Sequence, residues 1–353
     1  MTFDQFVKSV TQDEILPEVI DTVLGGNVLS LRLMSTPKKW VGETLKVPVK
    51  YQKSSSGGSF DGYDTFSTTQ ASTRVSMSFN PKAEYQSVTI SNLQRGVNGG
   101  KAKVVDLIGV EMESAQQDMI DNIGTRFYGD GTGNGSKDFT GLVAAVDDGT
   151  NVATYGGLSR STYSTLQSSY TASVGALTLS QMGTTYDACV VGSDKPTLIV
   201  TDETTWGYYE QLLQPMVVAN YNAEGFSQVV ADGVVKGRGA LKGEAGFDAL
   251  WYRGTPVVKD EKCTSGYMYF LNEKYLHFYA LPHPDGQMVG PSSKTIEGVY
   301  SNPENRSKLS AFHWTGWKRP VNQDAMIGQF IVYGDIINRN PNRSGVLRGI
   351  TGV

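Results

Sequence analysis

"KAKVVDLIGVEMESAQQDMIDNIGTRFYGDGTGNG", residues 101–135, carries the strongest pattern in the chain. Val105, Ile108, Met112, Ala115, Met119, Ile123 and Phe127 recur three or four residues apart, which draws one apolar stripe along a helix. Asp106, Glu111, Glu113, Gln117 and Asp121 fall largely off that stripe. The spacing predicts a helix over about 101–128, roughly 40 Å long at ~1.5 Å per residue. A helix apolar on one side lies across something, and a sheet is the expected support. Gly129, Gly131, Gly133 and Gly135 then end it.

The glycine-rich end, "YGDGTGNGSKDFTG" at 128–141, resembles two ligand loops and satisfies neither. No Gly-Lys-Ser/Thr closes it, so it is not a phosphate-cradling P-loop. Asp130, Thr132, Asn134 and Gly135 fit the first half of a calcium loop, but its twelfth position is Gly141, where a bidentate Glu is needed. A helix stop followed by a tight loop accounts for the residues.

Upstream, Lys46–Gln52 reads as a strand, with Pro48 marking an edge. Residues 74–90 alternate: Val75, Met77 and Phe79 share a face and, beyond Pro81, so do Val88 and Ile90. Between these runs lie more than 20 mostly polar residues, including "YQKSSSGGSFDGYDTF" at 51–66. Unstructured loops of that length are uncommon unless functional, and a two-stranded ribbon is marginal alone in water. Residues 46–90 are therefore expected to form an extended hairpin that needs an outside surface, with Phe60, Tyr63 and Phe66 near its tip. Before it, Phe3, Phe6, Val7 and Val10, then Ile15, Val19, Ile20, Val23 and Leu24, have helical spacing, and Lys38, Lys39 and Trp40 follow.

Downstream, Leu177, Leu179, Met182 and Tyr186 predict a short helix with Ser180 near its start. Residues 196–200 read as a buried strand, and Thr201 or Asp202 as the cap of a helix through Leu213. Residues 226–246 are glycine-rich and loop-like. Strand patterns follow at 249–252, 256–258, 267–271 and 276–281, and again at 311–317 and 327–334. Arg160 is the single basic residue between 141 and 194, and the tail from 338 carries Arg339, Arg343 and Arg348 without an acid.

Composition narrows the function. Of 353 residues 39% are hydrophobic, 19% are charged and 40 are glycine, a turn-rich β-leaning balance. A net charge of −4 gives no global basic field to seek out nucleic acid, which excludes a sequence-reading DNA-binding protein. Cys189 and Cys263 make neither a disulfide framework nor a zinc site, and read as small buried hydrophobes. His277, His283 and His313 are too scattered for a metal motif, and no Gly-x-Ser-x-Gly elbow is present. No enzyme activity, metal or cofactor is expected. No apolar run reaches the ~18 residues of a membrane span, so a soluble cytoplasmic protein without a membrane partner is expected.

The order of parts resembles the major capsid proteins of tailed double-stranded DNA phages, the Hong Kong 97 fold. The match rests on an N-terminal arm, a long hairpin with a flexible tip, and a long helix ending in "DNIGTRFYGDGTGN" at 121–134. An α/β section and the run "ALWYRGTPVVKDEKCTSGYMYFLNEKYLHFY" at 249–279 complete it. The resemblance implies an α+β chain with an arm at 1–45, an extended loop at 46–95 and a peripheral domain at 96–175 with its spine helix. An axial domain at 176–260 and a β-rich part at 261–353, largely peripheral, would follow. It implies a structural protein that self-assembles into hexamers and pentamers of an icosahedral shell around double-stranded DNA, in a virion put together in the host cytoplasm.

Lys53, Phe60, Tyr63, Phe66 and Trp40 would then be inter-subunit contacts. Arg339, Arg343 and Arg348 would be candidates for inward-facing, nonspecific DNA contact. Because the arm begins close to Met1, a separate scaffolding protein is expected, with a portal and a decoration protein as further partners. Some members of that family join Lys to Asn between neighbours. Lys53 with Asn302, Asn305 or Asn322 would be the pair required, and non-covalent packing is the default. The alternatives are an encapsulin-like compartment shell and a β-rich binding protein outside the capsid class.

Overall fold

The computed structural model describes residues 27–66, 68–97, 107–221, 249–282, 288–289 and 312–353. Val105, Asn302, Asn305, the two expected arm helices and the glycine-rich 226–246 lie outside them. Helices and strands are mixed, arranged around two six-stranded sheets. Among the described residues no helix is long and apolar enough to cross a membrane.

The long helix, Leu107–Phe127, follows its stripe. Ala115, Met119, Ile123 and Phe127 are buried, and Ile108 and Met112 are half-buried against the same core. Phe127 meets the rings of Phe139 and Phe278 at 6.0 and 5.7 Å. The supporting sheet is real, and its central member is the strand Ala325–Asn338. Lys82–Ser91 pairs antiparallel with it from Ala325↔Ser91 to Gly334↔Lys82. Leu276–Ala280 pairs at its far end and Phe312–Trp314 in its middle. Val88 and Ile90 turn into the core beneath the helix.

The helix stop has a geometric cause. Gly131 adopts φ 80, and Asn134 and Gly135 adopt φ 51 and 68, the left-handed region that glycine and asparagine tolerate best. A Cβ on Gly141 would lie 2.3 Å from the Gly129 carbonyl oxygen, so the returning chain passes too close for any side chain. The Asp130 carboxylate accepts from the Thr132 N–H and hydroxyl, which closes the turn within the chain.

The second sheet runs Ala249–Tyr252, Thr255–Lys259, Leu198–Thr201, Met268–Leu271, Gly345–Leu347 and Ser169–Thr171. Helices Leu179–Cys189 and Glu203–Tyr221 border a second core that contains Leu177, Met182, Ile199, Val257 and Phe270. The first helix has Ser180 in its first turn and is capped by Thr178: its hydroxyl accepts from the Gln181 N–H, and the Thr178 N–H donates to the Gln181 side chain. Asp202 caps the second, which runs beyond Leu213 to Tyr221.

One expectation needs correction. The hairpin is Leu45–Lys50 with Arg74–Phe79, and Lys82–Ser91 is not part of it. Pro81 separates the two strands, and the Val88/Ile90 face is buried only by joining Ala325–Asn338. The C-terminal third divides between the sheets: Leu276–Ala280, Phe312–Trp314 and Ala325–Asn338 lie in the first, and Met268–Leu271 and Gly345–Leu347 in the second. Ser169–Thr171 also belongs there, paired in parallel with Gly345–Leu347.

Candidate assembly surface

The hairpin has one apolar and one polar side, as the period of two dictates. Val47, Met77 and Phe79 are buried, while Lys46, Lys50 and Arg74 face outward. The buried side packs on the chain's own body. Phe79 meets the Tyr155 ring at 5.2 Å, and the Ser78 N–H donates to the Gly156 carbonyl at 2.9 Å. Tyr51 rests edge-on against Tyr163 at 5.1 Å. The ribbon's root therefore buries its own apolar face at home, contrary to the sequence expectation.

Beyond Tyr51 the situation changes. Residues 52–66 and 68–70 are almost all exposed and held mainly by bonds within the loop. Ser56 Oγ donates to the Thr69 carbonyl, and the Asp61 N–H donates to the Asp64 carboxylate. Phe60 and Phe66 stack edge to face at 4.9 Å, yet remain 65% and 68% exposed, and Tyr63 is 104% exposed. Lys53 is exposed beside them. Trp40 is not part of this surface: it is 0% exposed, its backbone N–H donates to the Ala280 carbonyl, and its indole N–H donates to Gly42. A wide ring beside two lysines is read from sequence as surface, but here strand pairing carries it inward.

The strand Lys82–Ser91, which follows the hairpin, is fixed to the body by a charged network that no local pattern announces. Arg126 bonds Glu84 at 2.9 Å and Asp138 at 2.6 Å, and the Lys82 ammonium donates to the carbonyls of Gly131 and Asp138. A cavity of about 590 Å³ opens beside it, lined by Ser78, Pro81, Lys82, Asp130, Tyr155 and Asp335 among others. Asp335 is buried, and accepts from the Thr140 N–H at 2.6 Å, the Thr140 hydroxyl at 2.7 Å and the Ile336 N–H at 2.9 Å. Burial nevertheless pushes its carboxyl up to about 6, against those bonds and the pull of Lys82.

A carboxyl raised in the folded state binds more protons folded than unfolded, so it adds stability as pH falls from above 6 towards about 4. The unassembled chain is expected to melt higher at pH 5 than at pH 7.5, with Asp335 supplying about 1.4 kcal/mol of the difference. Melting curves of wild type and Asp335→Asn across that range check this, and parallel pH profiles would refute it.

No protein-family model and no curated protein matches the chain. Solved structures do. The capsid asymmetric unit of cyanophage A-1(L) superposes with a TM-score of 0.70 at 15% identity, covering 99% of this chain and 100% of that one. The fold is the Hong Kong 97-type capsid fold. The capsid of a native GTA particle matches with a TM-score of 0.61 at 11% identity over 97% and 96% of the two chains. An encapsulin, SrpI of Synechococcus elongatus, matches at 0.57 and 10% identity over 99% and 96%.

On this capsid fold the tail arginines part company. Arg348 lies 4.3 Å from the Tyr267 ring centre and 5.5 Å from that of Tyr170, and donates to both hydroxyls. Arg343 is half-buried in the turn Pro341–Arg343. Arg339 alone of the three is exposed. The two thiols sit in the cores, where burial pushes Cys189 up to about 12 and Cys263 well above its ordinary value. Among the described residues no group of His, Cys, Asp and Glu could hold a metal ion.

Proposed function

We propose that the chain is the major structural protein of a tailed-phage capsid, self-assembling into hexamers and pentamers of an icosahedral shell around double-stranded DNA. The observation that carries this reading is the hairpin tip: three aromatic side chains stand bare, whereas most other large rings among the described residues are buried or half-buried. Laid on a neighbouring copy, each gains about 1.5–3 kcal/mol of apolar burial. The gain repeats at every subunit of a closed ring. Near-complete coverage of capsid chains supports the same conclusion.

In this reading Lys53, Phe60, Tyr63 and Phe66 contact the next subunit. A separate scaffolding protein, a portal and a decoration protein are its partners, the packaged DNA is held without sequence preference, and assembly takes place in the host cytoplasm. No reaction is assigned to it. The likeness to SrpI supports a second reading, a compartment shell loaded with protein.

The expressed chain is expected to purify, alone or with a scaffold, as particles of megadalton mass. Nuclease-protected DNA inside particles from infected cells supports the capsid, and protein cargo without DNA supports the compartment. A chain that stays monomeric under all assembly conditions refutes both.

A further inference from the structure

We propose that Lys38, His277 and Arg339, gathered from three separate segments at one edge of the first sheet, form a binding site for a phosphate group. The backbone builds the cluster. Lys38 lies in register with Tyr279 in a short parallel pairing, and His277 stands two residues before Tyr279 on the same face of its strand. Arg339 leaves the end of the long strand, where its N–H donates to the Tyr275 carbonyl. The His277 ring is oriented: its Nε2 lies 3.0 Å from the Lys274 carbonyl, which can only accept, so Nε2 carries the proton and Nδ1 is left for another partner.

The three side chains are close enough to feel one another's charge. Burial, Lys38 and Arg339 all hold the His277 imidazole below its ordinary value, and burial with Arg339 does the same to the Lys38 ammonium. The acid that faces them, Glu273, is already engaged by Arg32 at 2.8 and 3.1 Å and by the Thr197 hydroxyl at 3.0 Å. Lys274 is likewise paired, with Asp194 at 2.8 Å. Among the described residues neither Lys38 nor Arg339 has a carboxylate partner. A fold that holds uncompensated cations together is relieved by an anion placed between them. Lys38 and Arg339 can donate to the oxygens of a phosphate, the guanidinium fork adds directional bonds, and His277 joins them through Nδ1 once that nitrogen is protonated.

The phosphate can come from two sources, free inorganic phosphate or the backbone of a nucleic acid. The site goes beyond the shell reading and does not depend on it, since all three residues lie in one chain.

The test uses the purified full-length chain with two probes. Equilibrium dialysis measures radiolabelled inorganic phosphate, and fluorescence anisotropy measures a short DNA duplex over a range of salt. Wild type is expected to bind one phosphate per chain, more tightly as pH falls through the His277 titration. Arg339→Gln and Lys38→Gln each weaken binding about tenfold. Both lysine and arginine changes are at positions with solvent access, and Arg319→Gln, another exposed cation, is the matched control with no effect. Loss of inorganic phosphate binding establishes the site for the free ion. Loss confined to DNA, with the salt slope falling by about one per residue removed, establishes it for the backbone. Unchanged binding of both probes in both variants, or equal losses from Arg319→Gln, overturns it.

Discussion

Replacing Phe60, Tyr63 and Phe66 together by serine is expected to leave the subunit folded and abolish efficient shell formation. The three rings contribute little to the isolated chain, since Phe60 and Phe66 stack on each other with most of their surface exposed and Tyr63 is fully exposed. The melting temperature of the unassembled variant should fall within about 2 °C of wild type, as surface changes cost within about 0.5 kcal/mol. Assembly is different, because burying three aromatic side chains contributes roughly 4–9 kcal/mol per contact before ordering costs. The measurement is the fraction of protein in particles by sedimentation, compared with a Ser54→Ala/Ser55→Ala/Ser59→Ala control on the same loop. Shells of normal yield and stability from the triple serine variant would remove the tip from the assembly surface.

What the sequence disclosed, and what it withheld, follows from the range of each interaction. The stripe from Ile108 to Phe127 repeats every three or four residues, so the helix and its buried side are read locally. The strands at 249–252 and 276–280 are legible for the same reason, as short apolar runs bounded by turn residues. Pairing is not local. Nothing near Val88 says that its strand joins Ala325–Asn338, and residues 82–91, which continue the alternation past Pro81, read locally as an extension of the hairpin.

Partner choice hides in the same way. Arg348 looks like a free tail cation until Tyr170 and Tyr267 close on it from other strands. Conversely, Lys38 and His277 carry no signal in their own neighbourhoods, and become a cluster with Arg339 only when the sheet aligns them. The exposed tip was legible because it is defined by what its own sequence lacks, namely enough apolar neighbours to cover Phe60, Tyr63 and Phe66.

Arg160→Met is expected to destabilise the subunit by about 3–5 kcal/mol, the range for breaking a buried ion pair. Arg160 and Asp147 are both fully buried, with 3.4 Å between Nη1 and Oδ2. The guanidinium also donates to the carbonyls of Leu166, Val152 and Ala144 and stacks 5.0 Å from the Tyr155 ring centre. Asp147 in turn accepts from the N–H groups of Gly149, Asn151 and Val152. One cation thus closes a loop-rich segment, 144–168, in which regular structure is too sparse to satisfy the backbone. Methionine fills part of the volume and leaves a buried carboxylate without its cation and three carbonyls without the guanidinium donors. Lysine keeps the charge but lacks the planar fork that reaches three acceptors at once, so Arg160→Lys should recover only part of the loss. Because Tyr155 lies under Arg160 and against Phe79, loosening this loop also loosens the hairpin's seat. Denaturant unfolding of the unassembled chain gives the stabilities, and limited proteolysis reports on 144–168. A loss below about 1 kcal/mol for Arg160→Met, or equal losses for Met and Lys, would show that the buried pair does not hold this segment together.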